Sequence, residues 1–242
     1  MFNYYDLNLN NTLINYDNLV NSFNFEELSN GRKSCVLSDI QNNFIPIVRT
    51  TTKYNNPIQN FNTYTNILIN NIKKLNNNIS FNNSLVEIYD NNYKTMKYHS
   101  DQQLDLKDNS YICIFSCYSN PKTNNFRKLF IKNKLDNNIE EYVLKNNSII
   151  IFSTDTNKKY LHKIILDKIT ENTNWLGITL RLSKTFINFI DNKPYINNNL
   201  LYLASLEEEK KFYKLRKDEN LSIEYKYPDL NYTISPSDLL LV

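Results

Sequence analysis

The sequence has 242 residues, 41% of them hydrophobic and 22% charged, with 28 basic against 25 acidic side chains. That length fits one domain of generous size, or one with an appended segment, and is ample for a buried core. No apolar run approaches the roughly 18–20 residues of a membrane span, so no partnership with a membrane is expected. A net charge of +3 is too small to announce a nucleic-acid binder, although a local basic patch can hide in a balanced total.

The first residues, Met1 to Asp6, lack the basic start and apolar stretch of a signal peptide. Three cysteines (Cys35, Cys113, Cys117) are an odd number in a long chain and argue against a disulfide framework. An intracellular setting, cytoplasmic or nuclear, is therefore expected. The chain carries 44 asparagines, one alanine (Ala204) and two glycines (Gly31, Gly177), a skew that follows AT-rich codons such as those of a giant virus. The runs Asn76–Asn78 and Asn197–Asn199 accordingly read as surface loops rather than as disorder.

In chain order, Val36–Ser38 and Ile45–Thr52 are β-branched and read as extended. Tyr64, Leu68, Ile72 and Leu75 then line one face of a helix. From residue 84 the period becomes two. Eight strands are predicted: Ser84–Tyr89, Thr95–His99, Tyr111–Tyr118, Arg127–Ile131, Glu140–Leu144, Ser148–Ser153, His162–Leu166 and Leu176–Ser183. With no helical pattern between them they should pair antiparallel. The expected class is mainly β with flanking helices (α+β), its core closed as a jelly roll or barrel. A helix over Leu200–Lys217 follows, with Glu207 and Glu208 spaced to pair with Lys210 and Lys211. Ile223–Tyr227 alternates like an edge strand before Pro228, and this tail is expected to cover a sheet edge without chemistry. The boundaries drawn are 1–80 for an N-terminal lid and support region, 81–190 for the β core, and 191–242 for the C-terminal helix and tail.

The chain has only two histidines. His99 and Asp101 form His-Ser-Asp at the end of the second predicted strand, where residues i and i+2 project from one face. His162 opens a later strand after the polar stretch Asp155–Tyr160. Two imidazoles and one carboxylate are the ligand set of non-haem Fe(II) oxygenases, leaving one side of the ion open. Zinc is the competing metal, but it commonly takes a third His or Cys, and Cys113 and Cys117 read as buried core fillers. Two unrelated, hydrogen-bonded histidines are the other alternative. On the last strand, Trp175, Gly177, Thr179, Arg181 and Ser183 share a face, and an arginine flanked by the hydroxyls of Thr179 and Ser183 suits a carboxylate. A surface ion pair would use the same arginine.

These residues resemble a family. The stretch Asn82 to Arg181 is similar to the double-stranded β-helix core of the 2-oxoglutarate/Fe(II)-dependent oxygenases, and within them to the AlkB-like branch. The likeness runs through Phe81–Tyr89, His99-Ser100-Asp101, Arg127–Phe130, His162 and the strand ending at Arg181. Upstream, Ile45–Thr52 and the helix near Tyr64 lie where that branch carries a substrate-covering lid. The resemblance implies Fe(II) held by His99, Asp101 and His162, with 2-oxoglutarate and O2 as cosubstrates. It further implies that Arg181 binds a 2-oxoglutarate carboxylate and that Tyr89 hydrogen-bonds the same molecule. The implied activity is hydroxylation of a substrate C–H, with oxidative demethylation of a modified nucleic-acid base first and a protein side chain or small molecule second. Tyr54, Arg49, Lys53, Tyr93, Lys94 and Lys97 are the candidates for gripping a flipped base. Three positions depart from the branch. Trp175 and Gly177 stand where it has an arginine and an asparagine, and Glu87 stands where it offers an asparagine to the cosubstrate. Those departures also admit a binding module that keeps the barrel without turnover.

Overall fold

The computed structural model describes residues 1–9 and 13–242. The N-terminal part contributes β1 (Asn3–Asp6), α1 (Tyr16–Asn21), β2 (Glu26–Ser29), β3 (Arg32–Ser38), β4 (Phe44–Ile47), β5 (Gln59–Asn60) and α2 (Thr63–Lys73). Next come β6 (Asn83–Tyr89), β7 (Tyr111–Tyr118), β8 (Arg127–Asn133), β9 (Ile139–Leu144), β10 (Ser148–Ser153), α3 (Thr154–Lys159), β11 (Tyr160–Ile165) and β12 (Trp175–Arg181). The chain finishes with β13 (Thr185–Ile190), β14 (Lys193–Ile196), β15 (Asn199–Leu200), β16 (Tyr202–Leu203), α4 (Leu206–Leu221), β17 (Tyr232–Thr233) and a short 3-10 turn. The protein is thus mainly β, with few helices. Among the described residues, pairing is antiparallel except for two short parallel contacts, β3 with β5 and β16 with β17. Among the described residues, no helix is long and apolar enough to cross a membrane.

One large sheet runs in the order β1-β10-β7-β12-β6-β3-β2, and a smaller one in the order β11-β8-β9. Alternation decides which side chains meet which layer. On one face of the large sheet, Val86, Ile88, Cys113, Phe115, Cys117, Leu176 and Ile178 pack against Leu19 of α1 and Leu68, Ile69 and Ile72 of α2. On the other, Tyr89, Ile112, Ile114, Ile150, Phe152 and Trp175 meet Leu129, Ile131 and Ile164 of the small sheet. The candidate site lies in this second layer. The three cysteines are free and buried, as fillers would be.

Local chemistry explains the boundaries. Asn62 caps α2 by accepting from the amides of Tyr64 and Thr65, with Thr65 reciprocating, and the helix ends before Leu75, which is exposed. Nine non-glycine residues have positive φ among the described residues, and eight are asparagines. In a chain with two glycines, asparagine takes the left-handed turn positions, because its short polar side chain tolerates them.

Three expectations are corrected. The segment Thr95–His99 is not a strand. Its main chain pairs with β11 only at isolated bridges, Thr95–Ile165 and His99–His162, and the Lys97 carbonyl between them accepts from the His99 ring at 3.0 Å. The C-terminal helix starts at Leu206 rather than Leu200, since Ser205 and Glu208 form a capping box. Glu208 also accepts from the Tyr202 hydroxyl, while Glu209 pairs with Lys53. Ile223–Tyr227 is irregular rather than an edge strand, with Tyr227 turned to donate to Glu219. The boundary drawn at residue 190 falls in the turn of the β13–β14 hairpin, and β13 pairs with β4 from the N-terminal part.

Candidate metal centre

His99 and His162 come together through main-chain pairing. The His99 amide donates to the His162 carbonyl at 3.0 Å, and the His162 amide donates back at 2.6 Å. Such a reciprocal antiparallel pair sets two side chains on one face, and here the ring centroids are 4.6 Å apart. The His99 Nδ1–H donates to Lys97, which leaves its Nε2 lone pair for a ligand. Asp101, two residues on, holds its Oδ1 3.6 Å from His162 Nε2. One ligand atom from each residue lies within 4.8 Å of the others.

Asp101 is 9% exposed, and its Oδ2 is buried without a hydrogen bond. An orphaned carboxylate oxygen costs about 1–3 kcal/mol, a deficit a bound cation removes. Two nitrogens and one oxygen suit a first-row divalent ion. The donor set and the orphaned oxygen therefore fit a metal. The electrostatics agree. Burial opposes the charge on Asp101, but the Arg181 guanidinium, 3.8 Å away, together with His162 and His99, holds its carboxyl below the usual carboxylate range. Burial, reinforced by His99, pushes the His162 imidazole down to about 3, and burial with Arg216 lowers His99. At neutral pH the cluster is one carboxylate and two neutral imidazoles, the protonation state a metal requires.

This has a consequence for the metal-free protein. The unfolded chain takes a proton at an ordinary imidazole pKa of about 6.5, which folded His162 refuses until about 3. Its contribution is therefore complete above about pH 6.5 and is lost as pH falls through that window. From pH 7.5 to pH 5, His162 should remove about 2 kcal/mol of stability. Asp238, raised to about 6 by burial, acts in the opposite sense, so the comparison is with His162→Gln. Urea midpoints should fall more steeply with acid in wild type than in the variant. Parallel curves would contradict the shift.

The other sequence-predicted residues divide. Arg181 and Tyr89 lie on the inward face of the large sheet with Thr179, which is half-buried. Ser183 does not join them. Its hydroxyl bonds the carbonyls of Ile47, Asp105 and Thr185, so it fixes the end of β12 instead of facing the site. Trp175 lies across Gly177, where a Cβ would collide with the indole ring, so this pair fills its part of the face. Glu87 is neutralised by Arg32 of β3, whose Nε and Nη2 donate to Oε1 at 2.9 and 2.7 Å. Of the base-gripping candidates, Arg49 is 4% exposed and bound to Asp105, and Tyr54 is 5% exposed, so neither is an open lid residue.

Among the described residues, the buried polar atoms without a hydrogen bond include four donors of the large sheet and its flank, the Tyr54 and Tyr89 hydroxyls, Trp175 Nε1 and Arg181 Nε. Burial pushes Tyr54 up to about 12 and Tyr89 well above its ordinary value, so both phenols keep their protons. A ligand rich in acceptor oxygens suits them.

Sequence reasoning missed Arg32, whose role depends on strand register, and Asn157. The Asn157 amide grips the main chain of Asp101, accepting from its N–H at 2.8 Å and donating to its carbonyl at 2.7 Å. The signal was the Ser153 N-cap ahead of Thr154-Asp155, which starts α3 and buries Asn157 beside the loop.

No family model matches the chain, and no curated protein matches it. Among solved structures it is similar to one described as the structure of OsALKBH1, at 10% sequence identity and a TM-score of 0.42. That similarity covers 63% of this chain and 78% of the other.

Proposed function

We propose that the protein is an Fe(II)- and 2-oxoglutarate-dependent oxygenase, built on a double-stranded β-helix of the AlkB-like kind, that hydroxylates a substrate C–H. The observation that carries this reading is the convergence of His99, Asp101 and His162, one ligand atom from each lying within 4.8 Å of the others. The strand order supports the fold. From residue 83 the chain passes back and forth between the two sheets, with β6, β12, β7 and β10 in one and β11, β8 and β9, bridged by the 95–99 segment, in the other.

His99, Asp101 and His162 would hold the iron, which supplies the activation of O2 when bound. Arg181 keeps Asp101 ionised and presents Nε–H to a carboxylate. Tyr89 and Tyr54 hold their phenolic protons as donors to cosubstrate oxygens, and Trp175 offers an indole N–H where a charged arginine would otherwise stand. Arg32 removes the repulsion that a bare Glu87 would direct at a dicarboxylate. The substrate proposed first is a modified nucleic-acid base. Exposed Lys94 and Lys97 stand near the His99 segment, and Lys163 caps the Tyr98 ring at 4.6 Å.

A non-catalytic binding module is the second reading, favoured by Trp175 lying over Gly177. Anaerobic addition of Fe(II) and 2-oxoglutarate separates the two. The oxygenase should develop a weak visible charge-transfer band and release succinate on admission of air, and Arg181→Ala should weaken the apparent 2-oxoglutarate affinity at least tenfold. No band and no succinate would leave the binding module.

A further inference from the structure

The segment after His99 carries a ligand without belonging to a ladder. Its main-chain groups are instead satisfied by side chains of two helices. Asn157 of α3 takes the amide and carbonyl of Asp101. Asn220 of α4 accepts from the amide and hydroxyl of Ser100 at 3.1 and 3.2 Å, and Arg216 donates to the Ser100 carbonyl. Glu219 Oε1 accepts from the Gln103 amide at 2.7 Å. A loop secured in this way has already lost the freedom that would otherwise oppose metal binding.

Glu219 is the centre of the arrangement. It is 3% exposed, its Oε2 accepts from Arg216 and from the Tyr227 hydroxyl, and Lys134 donates to its main-chain carbonyl. Only Phe212 and Glu219 of α4 are buried, so the helix has no apolar stripe to hold it on the core. Its attachment near the site is this polar clasp.

We infer that α4 is part of the metal centre's scaffold, with Glu219 and Asn220 as positioning residues that hold the Ser100–Gln103 loop so that Asp101 meets the ion. This rests on the metal-binding reading of the triad, and it gives the C-terminal helix a role that the resemblance does not reach. Linkage makes the effect reciprocal: if the docked helix tightens metal binding, bound metal must tighten helix docking.

Mn(II) is the probe, its free concentration followed by electron paramagnetic resonance during titration of the full chain. Glu219→Ala should weaken Mn(II) binding at least tenfold and Asn220→Ala severalfold, the range for residues that orient ligands. Asn220 is half-buried, so its truncation leaves the core intact even if Glu219→Ala folds poorly. Phe212→Leu, which loosens the helix away from the clasp, should lower the melting temperature while leaving Mn(II) affinity unchanged. Mn(II) should also slow hydrogen exchange in the last turn of α4 in wild type. Unchanged affinity in Asn220→Ala and Glu219→Ala, or an equal loss in Phe212→Leu, overturns the positioning role while the triad stands. A wild-type chain that takes up no Mn(II) overturns both.

Discussion

Asp105→Ala should destabilise the folded chain by about 3–5 kcal/mol, enough to unfold a domain of ordinary stability. Asp105 is fully buried, and Arg49 is bound to it from the main-chain amide, Nε and Nη2, at 2.7, 3.1 and 2.7 Å. The remaining Arg49 nitrogen, Nη1, donates to the carbonyls of Leu230 and Tyr232. One ion pair thus joins the segment after β4, the loop that follows Asp101 and the C-terminal tail. The Asp105 carbonyl also accepts from Ser183 and from the Lys184 amide, which ties in the end of β12. Truncating the acid strands a guanidinium in the interior, and the stranded charge accounts for most of the cost. Arg49→Met combined with Asp105→Leu should therefore recover much of the loss, because no buried charge is left unpaired. Urea denaturation measures both. A loss below about 1 kcal/mol in Asp105→Ala would show that the pair is not the anchor its burial indicates.

The β region was legible because its strands alternate and are rich in β-branched and aromatic residues. Ser148–Ser153 and Tyr111–Tyr118 emerge with the bounds expected of them. Where a side chain competes for main-chain groups, periodicity misleads. Thr95–His99 alternates like a strand, yet it pairs with β11 only at isolated bridges, and the Lys97 carbonyl between them accepts from the His99 ring. The meeting of His99, Asp101 and His162 was legible from scarcity, since a chain with two histidines offers few other clusters.

What failed to show in the sequence depends on register and on distant partners. Glu87 looked like an uncompensated charge because nothing near it in sequence is basic. Pairing of β3 with β6 sets Ser34 opposite it and brings Arg32 within reach. Arg49 looked like an exposed lid cation because its counter-charge lies 56 residues away. The C-terminal helix was expected over Leu200–Lys217 and without chemistry, whereas α4 runs on to Leu221 and Arg216, Glu219 and Asn220 are turned onto the loop that carries Asp101.

On the proposed oxygenase reading, His162→Ala and Asp101→Ala should each abolish Fe(II) uptake at micromolar concentrations and with it all 2-oxoglutarate turnover. Each removes one of three ligands from a site that leaves the rest of the coordination sphere open. The fold should survive both. His162 is buried as an unfavourable base, and its loss relieves the acid sensitivity described above. Asp101 keeps its main-chain bonds to Asn157 whatever its side chain. Retained iron binding in either variant would remove that residue from the ligand set.

Anomalous X-ray diffraction at the iron edge, from crystals grown without oxygen in Fe(II), addresses the convergence itself. One peak per chain is expected, within coordination distance of an imidazole nitrogen of His99, a carboxylate oxygen of Asp101 and Nε2 of His162. Iron bound elsewhere, or the rings of His99 and His162 turned into separate spaces with no ion between them, would contradict it.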